Sequence, residues 1–195
     1  MHVDLGTGDG AYLAALARRQ RETLFIGVDP NHAALIGVSR AALNAARAES
    51  NLLFVLGSWQ DLPGELAGVA SRISVLFPWG SLLQAAATAD GAFATALGAL
   101  STGATSVEIV TAIEPSTDSG ELRRLQLESF SPPAMAEALR GRGFTVAQTQ
   151  LGPDHEYQTS WWRRIRHRPG RVATVTRLTL PGSASPLPAE TPHSR

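Results

Sequence analysis

The 195-residue chain contains no cysteine and no lysine, and each absence excludes a kind of chemistry. Without cysteine there is no disulfide framework, no thiolate metal site and no catalytic thiol, which favours a protein of the reducing cytoplasm. Without lysine the chain cannot form the Gly-Lys-Ser/Thr loop that binds nucleotide phosphates. No apolar run approaches the roughly 20 residues that cross a bilayer, so we expect neither a membrane span nor a targeting leader.

Charges of both signs are equal in number but unevenly distributed along the chain. Seventeen arginines balance 17 acidic residues to a net charge of zero, which at first argues against a nucleic-acid partner. Residues 1–150 carry ten arginines and fourteen acidic side chains (−4), whereas residues 151–195 carry seven and three (+4). A GC-rich genome would also favour arginine, but arginine is the side chain that forks onto phosphates and stacks on bases. The asymmetry therefore points to an anionic partner near the C-terminal end.

Short apolar runs alternate with helical patterns over the first 112 residues. The pattern predicts strands at residues 2–5, 24–28, 52–56, 72–77 and 105–112, and helices at 11–19, 33–48 and 81–100. Uninterrupted apolar strands separated by helices indicate an α/β domain whose mostly parallel sheet is covered on both faces.

The pattern changes beyond residue 131. It predicts a helix over 132–140, which opens on two prolines, and strands over 144–151 and 172–180 that pair antiparallel. Residues 181–195 are rich in proline and serine, which predicts a disordered tail. The sequence thus favours one domain over residues 1–180 followed by the tail.

The first strand runs into the glycine-rich sequence DLGTGDG at residues 4–10. Three glycines in five positions let the backbone turn sharply and let a ligand approach it closely. Asp29 ends the second strand about 20 residues after the glycines, where a carboxylate can accept both hydroxyls of a ribose. The spacing differs from the G-x-G-x-x-G fingerprint of dinucleotide-binding proteins. A plain turn, with Asp29 as a helix cap, is the alternative interpretation.

The string D-x-G-x-G-x-G resembles motif I of class I S-adenosylmethionine (SAM) methyltransferases. That resemblance implies that Gly6 and Gly8 leave room for the cofactor. It also implies that Asp4 lies near the amino-acid end of the cofactor and that Asp29 holds its ribose.

The sequence FPWGSLL at residues 77–83 follows the fourth strand, at the sheet edge where α/β proteins bind ligands. Many methyltransferases of exocyclic amines carry an Asn/Asp-Pro-Pro-Tyr type of motif here. Phe77 replaces its polar residue and Trp79 its aromatic one, which disfavours amine chemistry but leaves a stacking surface. The alternative is that Trp79 belongs to the core.

A basic and aromatic cluster occupies residues 159–171, TSWWRRIRHRPGR. It contains six arginine or histidine residues and two tryptophans, with no acidic residue among them. Aromatic platforms beside arginines are typical of surfaces that bind unpaired bases and phosphates. A solvated basic face is the alternative, although exposed tandem tryptophans would then have no purpose.

Together these segments resemble the aminoglycoside-resistance methyltransferases of the kanamycin–apramycin type, which methylate N1 of adenine 1408 in 16S ribosomal RNA. The resemblance spans residues 2–180 and includes DLGTGDG at 4–10, IGVDP at 26–30, NLLFVL at 51–56, SVLFPWGSLL at 74–83 and SWWRR at 160–164. It implies a Rossmann-like class I methyltransferase fold with a seven-stranded sheet and an antiparallel last strand. It further implies SAM as cofactor, no metal, and a monomer that acts on the 30S subunit.

The resemblance assigns the target base to an aromatic pair. Trp79 and Trp161 would stack on the flipped adenine, and the backbone carbonyl of Pro78 would accept a hydrogen bond from its amino group. Thr159 and Ser81 would shape the pocket. Because adenine N1 already carries a free lone pair, attack on the sulfonium methyl needs alignment rather than a general base.

The resemblance also assigns two larger sets of residues. The cofactor set is Asp4, Gly6, Gly8, Asp29, Pro30, Ser58, Trp59, Gln60, Phe77, Ser81 and Thr159. The RNA-binding set is Arg163, Arg164, Arg166, Arg168 and Arg171.

Three departures from the family pattern leave other functions open. The family has an extension before the first strand, whereas only His2 and Val3 separate Met1 from Asp4, so we expect weaker RNA binding or a different start. Trp59-Gln60 replaces a small residue followed by glutamate, and the basic stretch lacks lysine. The alternatives are a binding module of the same fold without efficient turnover, and a small-molecule methyltransferase.

Overall fold

The computed structural model describes residues 1–43 and 51–180. The end of the helix predicted for residues 33–48 and the predicted tail at 181–195 lie outside the described residues. The strands are β1 (His2–Leu5), β2 (Phe25–Asp29), β3 (Leu52–Leu56), β4 (Ala70–Leu76), β5 (Ser101–Thr111), β6 (Thr145–Leu151) and β7 (Ala173–Thr179).

These strands form one seven-stranded sheet in the order β3-β2-β1-β4-β5-β7-β6. The first five strands pair in parallel, whereas β7 inserts antiparallel between β5 and β6. The predicted mostly parallel sheet with an antiparallel final strand is confirmed. The carboxyl ends of β1, β2 and β4 meet at one edge, which brings the loops that follow them together.

The described helices are α1 (Ala11–Arg19), α2 (His32–Leu43), α3 (Gly80–Ala87), α4 (Gly91–Leu100), α5 (Pro115–Arg124), α6 (Pro132–Gly141) and α7 (Ser160–Ile165), with a 3-10 turn at Gly64–Leu66. Several of these helices start at a polar residue whose side chain accepts a hydrogen bond from the first turn. Ser131 accepts a hydrogen bond from Ala134 N at the start of α6, and Thr159 accepts one from Trp162 N at the start of α7. Within the described segments, no helix is long and apolar enough to cross a membrane.

The single helix predicted over residues 81–100 is wrong, because the chain forms α3 and α4 there. Ala89 adopts a left-handed backbone conformation with φ of 49°, which ends the first helix. Asp90 then starts the second by accepting hydrogen bonds from Ala92 N and Phe93 N. The sequence pattern also missed α5 and α7.

The core fills both faces of the sheet. Strand residues such as Val3, Ile73 and Ile109 are fully buried beside Leu83, Phe93 and Leu97 from α3 and α4. A separate cluster forms where β4, β5 and β7 meet α7, and it contains Phe77 and Trp162. This second cluster supports the wall of the pocket described next.

Candidate active site

A pocket of about 540 Å³ lies at the carboxyl edge of the sheet, a size suited to a small organic ligand. Its walls come from the loops after β1, β2, β3 and β4 and from α7. All eleven residues of the predicted cofactor set line it, together with the predicted target residues Pro78, Trp79 and Trp161. The structure thus brings the two sets into one continuous cavity.

The glycine-rich loop requires glycine for two reasons. Gly6, Gly8 and Gly10 have φ of 75°, 61° and 64°, the left-handed region that other residues rarely adopt. At Gly6 and Gly10, but not at Gly8, an added side chain would also come too close to a neighbouring side chain. A Cβ on Gly6 would lie 2.8 Å from Leu82 Cδ2, and one on Gly10 would lie 2.4 Å from the Phe54 ring.

Asp29 joins the loops after β1 and β2. Its Oδ2 accepts a hydrogen bond from Gly8 N at 2.7 Å, and its Oδ1 accepts one from Asn31 N at 2.8 Å. The carboxylate therefore holds the loop ahead of α2 while it also lines the pocket, whereas Asn31 caps the helix by accepting a hydrogen bond from Ala34 N. The two roles are compatible because each carboxylate oxygen can accept more than one hydrogen bond.

Asp4 lies at the buried end of the pocket, with 2% of its surface exposed. Ser74 Oγ donates a hydrogen bond to its Oδ1 at 2.5 Å. Burial raises the pKa of Asp4 to about 6, although the hydrogen bond from Ser74 acts in the opposite direction. None of the ion pairs among the described residues involves Asp4. A buried carboxylate that forms no ion pair is suited to binding a cationic group of a ligand.

The loop after β3 approaches the start of α3 across the pocket. Trp59 Nε1 and Gln60 Nε2 lie 3.4 and 3.3 Å from Ser81 Oγ, and Ser58 Oγ donates to Gln60 Oε1 at 2.8 Å. The Trp59 ring meets Phe93 edge-on with centroids 5.7 Å apart. Trp59 therefore packs against the core while it also lines the pocket.

The two predicted stacking residues lie at the pocket rim. Trp79 is 43% exposed, so the alternative that it is a core residue is wrong. Its ring centroid lies 6.1 Å from that of Trp161, and the planes meet at 52°. A base placed between the rings would require them to rotate toward parallel.

Phe77 and Trp162 form the wall behind this pair. Phe77 adopts a left-handed backbone with φ of 50°, and its ring stacks on Trp162 with centroids 5.4 Å apart and planes 2° from parallel. Trp162 is 1% exposed and donates from Nε1 to the Pro153 carbonyl at 3.2 Å. The expectation of exposed tandem tryptophans is thus wrong for Trp162, which belongs to the core.

Four of the five predicted RNA-binding arginines lie on α7 or just after it and reach the surface to different extents. Arg163, Arg164 and Arg168 are exposed, and Arg164 also lines the pocket. Arg166 is partly buried and pairs with the exposed Asp154 at 3.2 Å. Helix α7 thus carries Trp161 together with two exposed arginines, Arg163 and Arg164.

Arg171 does not belong to this surface, and the predicted contact between Arg171 and RNA does not agree with its place in the structure. Its side chain is 2% exposed and forms hydrogen bonds to Asp118 at 2.5 and 2.6 Å. It also donates to the Ala112 carbonyl and to Thr117 Oγ1. The guanidinium thereby links the end of β5 and the start of α5 to the segment before β7. Its two terminal nitrogens donate hydrogen bonds inside the protein and not to RNA.

Sequence reasoning missed several residues that shape the site. Tyr12 of α1 and Leu82 of α3 line the pocket, and Ser74 and His2 lie behind Asp4. Tyr12 could have been found, because it is the second residue of the helix that opens directly after the glycine loop. Ser74 and His2 carry no comparable signal, since only the register of β1 against β4 brings them to Asp4.

Comparisons with known proteins agree with this geometry. The sequence profile of the NpmA family, described as 16S rRNA (adenine(1408)-N(1))-methyltransferase, matches residues 1–179. The curated protein of that name from Streptoalloteichus tenebrarius is 30% identical over 203 residues, which cover 94% of this chain and 87% of that protein. Its counterpart from Escherichia coli is 41% identical over 86 residues, which cover 43% of this chain and 39% of that protein.

A solved structure gives the same result at the level of the fold. A mutant of the 16S rRNA (adenine(1408)-N(1))-methyltransferase from Catenulisporales acidiphilia, solved with cosubstrate SAM, superposes with a TM-score of 0.79. The two proteins are 26% identical, and the match covers 95% of this chain and 88% of that one. The resemblance inferred from the sequence is therefore confirmed. The chain belongs to the NpmA family of 16S rRNA (adenine(1408)-N(1))-methyltransferases.

Proposed function

We propose that this chain transfers a methyl group from SAM to N1 of adenine 1408 in the 16S rRNA of the 30S subunit and thereby confers aminoglycoside resistance. One observation carries the proposal. A single cavity is lined both by Asp4, the glycine loop and Asp29 and by the Trp79–Trp161 pair. Donor and acceptor can therefore meet within the pocket.

The proposed chemistry relies on alignment. When bound, SAM supplies an electrophilic methyl group on its sulfonium sulfur. Adenine N1 needs no deprotonation, so the pocket requires no side chain that removes a proton. The task of the protein is to hold the base and the cofactor in line, an effect that lowers barriers by several kcal/mol.

The rim residues would hold the base outside its RNA helix. Extrusion of a base costs a few kcal/mol, and stacking returns roughly 1–3 kcal/mol per aromatic contact. Trp79 and Trp161 would supply two such contacts once their rings become parallel. The backbone carbonyl of Pro78, which lines the same cavity, would accept a hydrogen bond from the adenine amino group.

The exposed arginines would bind the surrounding RNA backbone. Arg163, Arg164 and Arg168 are exposed on α7 and just after it, and they would contact phosphates, which position the enzyme without reading sequence. Arg166 would contribute once it exchanges the exposed carboxylate of Asp154 for a phosphate.

Replacement of Trp161 tests this division of roles. Trp161→Ala is expected to lower methylation of purified 30S subunits by about tenfold or more, because the base then stacks on Trp79 alone. Binding of SAM, measured by calorimetry, should change little. Trp161→Phe keeps an aromatic ring and should retain part of the activity. Equal loss of cofactor binding and methylation in Trp161→Ala would contradict the stacking role.

A further inference from the structure

A line of three buried polar side chains runs from the floor of the pocket into the sheet. Ser74 Oγ lies 2.5 Å from Asp4 Oδ1, and His2 Nε2 lies 2.8 Å from Ser74 Oγ. The exposed fractions of His2, Asp4 and Ser74 are 3%, 2% and 2%. Three polar groups held away from water in this way must satisfy one another.

The three residues are brought together by the alternation of side chains along β1 and by the register of β1 against β4. His2 and Asp4 are two positions apart on β1, so they share one face. Asp4 pairs with Ser74 of β4 in the parallel register, and His2 pairs with Arg72. A one-residue shift between β1 and β4 would turn the Ser74 side chain to the opposite face of the sheet.

The chemistry of the three side chains determines which of them donates in each hydrogen bond. An ionised Asp4 can only accept, so the Ser74 hydroxyl gives it its single proton. The Ser74 oxygen must then accept from His2, which fixes the His2 ring with a proton on Nε2. Burial and the charge of Arg72 lower the pKa of His2 to about 3, so the ring is neutral and can keep this arrangement.

We propose that Ser74 and His2 are positioning residues that hold the Asp4 carboxylate toward the ammonium group of the bound cofactor. The inference rests on the proposed function, because it takes SAM as the ligand. Ser74 holds one carboxylate oxygen from the strand side, and His2 in turn holds the Ser74 hydroxyl. The carboxylate thus stays in one orientation before the cofactor binds, which reduces the entropy lost on binding.

The charged and polar surroundings of Asp4 make the hydrogen bond from Ser74 important. Burial and the neighbouring Asp29 raise the pKa of Asp4, whereas Ser74, Thr7 and Arg72 lower it. Tyr12 of α1 also faces Asp4, and the charge of Asp4 contributes to a raised pKa of this phenol. Ser74 therefore also favours the ionised carboxylate, which is the form that attracts an ammonium group.

Calorimetric titration with two ligands tests the proposal. SAM carries the ammonium group, whereas 5′-methylthioadenosine has the same nucleoside and thioether but no amino-acid end. Ser74→Ala is expected to weaken SAM binding by about tenfold, the usual scale for a hydrogen bond to a charged group, and to leave the 5′-methylthioadenosine affinity unchanged. Ser106→Ala, on the next strand opposite Arg72, is the matched control and should change neither affinity.

A pair of variants at His2 completes the test. His2→Leu removes the donor to Ser74 and should weaken SAM binding several-fold, whereas His2→Gln retains an N–H group and should restore most of it. An unchanged SAM affinity in Ser74→Ala, or an equal loss for both ligands, would overturn the proposal. Wild-type protein that binds SAM without methylating 30S subunits would contradict the proposed function, while the difference between the two ligands would still support this inference.

Discussion

At the scale of single residues, the site depends on a carboxylate in an unfavourable place. Asp4 is almost fully buried, has no cationic partner among the described residues, and has a pKa raised to about 6 by burial. A group that is costly to the fold and that lines a pocket is a candidate for ligand binding. The cofactor ammonium would supply the missing charge.

Asp4→Asn should therefore stabilise the ligand-free protein while it weakens SAM binding. The folded-state pKa of Asp4 exceeds its ordinary value of 3.8, so stability from this group is complete below pH 4 and is lost as pH rises through 6. Asparagine carries no charge and avoids this loss. We therefore expect the free energy of unfolding of Asp4→Asn to exceed that of the wild type by about 1–3 kcal/mol at pH 8, and the difference to disappear near pH 4. Thermal unfolding at the two pH values measures the difference. A variant less stable than wild type at pH 8 would show that the buried charge is not costly.

At the scale of secondary-structure elements, the segment that carries Trp161 is anchored by an internal ion pair. Arg171 joins Asp118 of α5 to the end of the α7–β7 connection, and its guanidinium lies 6.0 Å from the centre of the Trp161 ring. The pair thus connects the target side of the pocket to the core of the sheet.

Loss of Asp118 should destabilise the protein far more than loss of a surface acid on the same helix. Asp118→Ala leaves the buried Arg171 without its partner, which typically costs about 3–5 kcal/mol. Glu121→Ala removes a pair with the exposed Arg124 and a contact with Gly80 N, and it should cost only about 1–2 kcal/mol. Urea unfolding of the two variants provides the comparison. Similar midpoints would show that the Arg171–Asp118 pair contributes little.

The sequence predicts those parts of the site that follow directly from strand ends. The glycine loop, Asp29 and Trp79 each come just after a strand, so their shared edge could be inferred. Trp161 and Trp162 could not be separated, because α7 has only six residues and adjacent helix positions point about 100° apart. The role of Arg171 depends on a partner 53 positions away, which local patterns do not reveal.

At the scale of the whole molecule, the neutral net charge conceals a balance of −4 over residues 1–150 and +4 over residues 151–195. Removal of Arg163 and Arg168, as a double change to Gln, should weaken binding to 30S subunits. It should also reduce the slope of log affinity against log salt by about one for each phosphate that is no longer neutralised. Arg140→Gln, on α6 and paired with Glu137, is the matched control and should leave the slope unchanged. An unaltered slope in the double variant would place the RNA-binding surface elsewhere.

Primer extension is the most direct test of the proposed methylation of adenine 1408 by this protein. Purified 30S subunits would be incubated with the protein and SAM, and reverse transcription of the 16S rRNA would then be mapped. A methyl group on N1 blocks base pairing, so we expect a new stop at adenine 1408 that requires both protein and SAM. Incorporation of methyl groups with a stop at another position, or no stop at all, would contradict the claim.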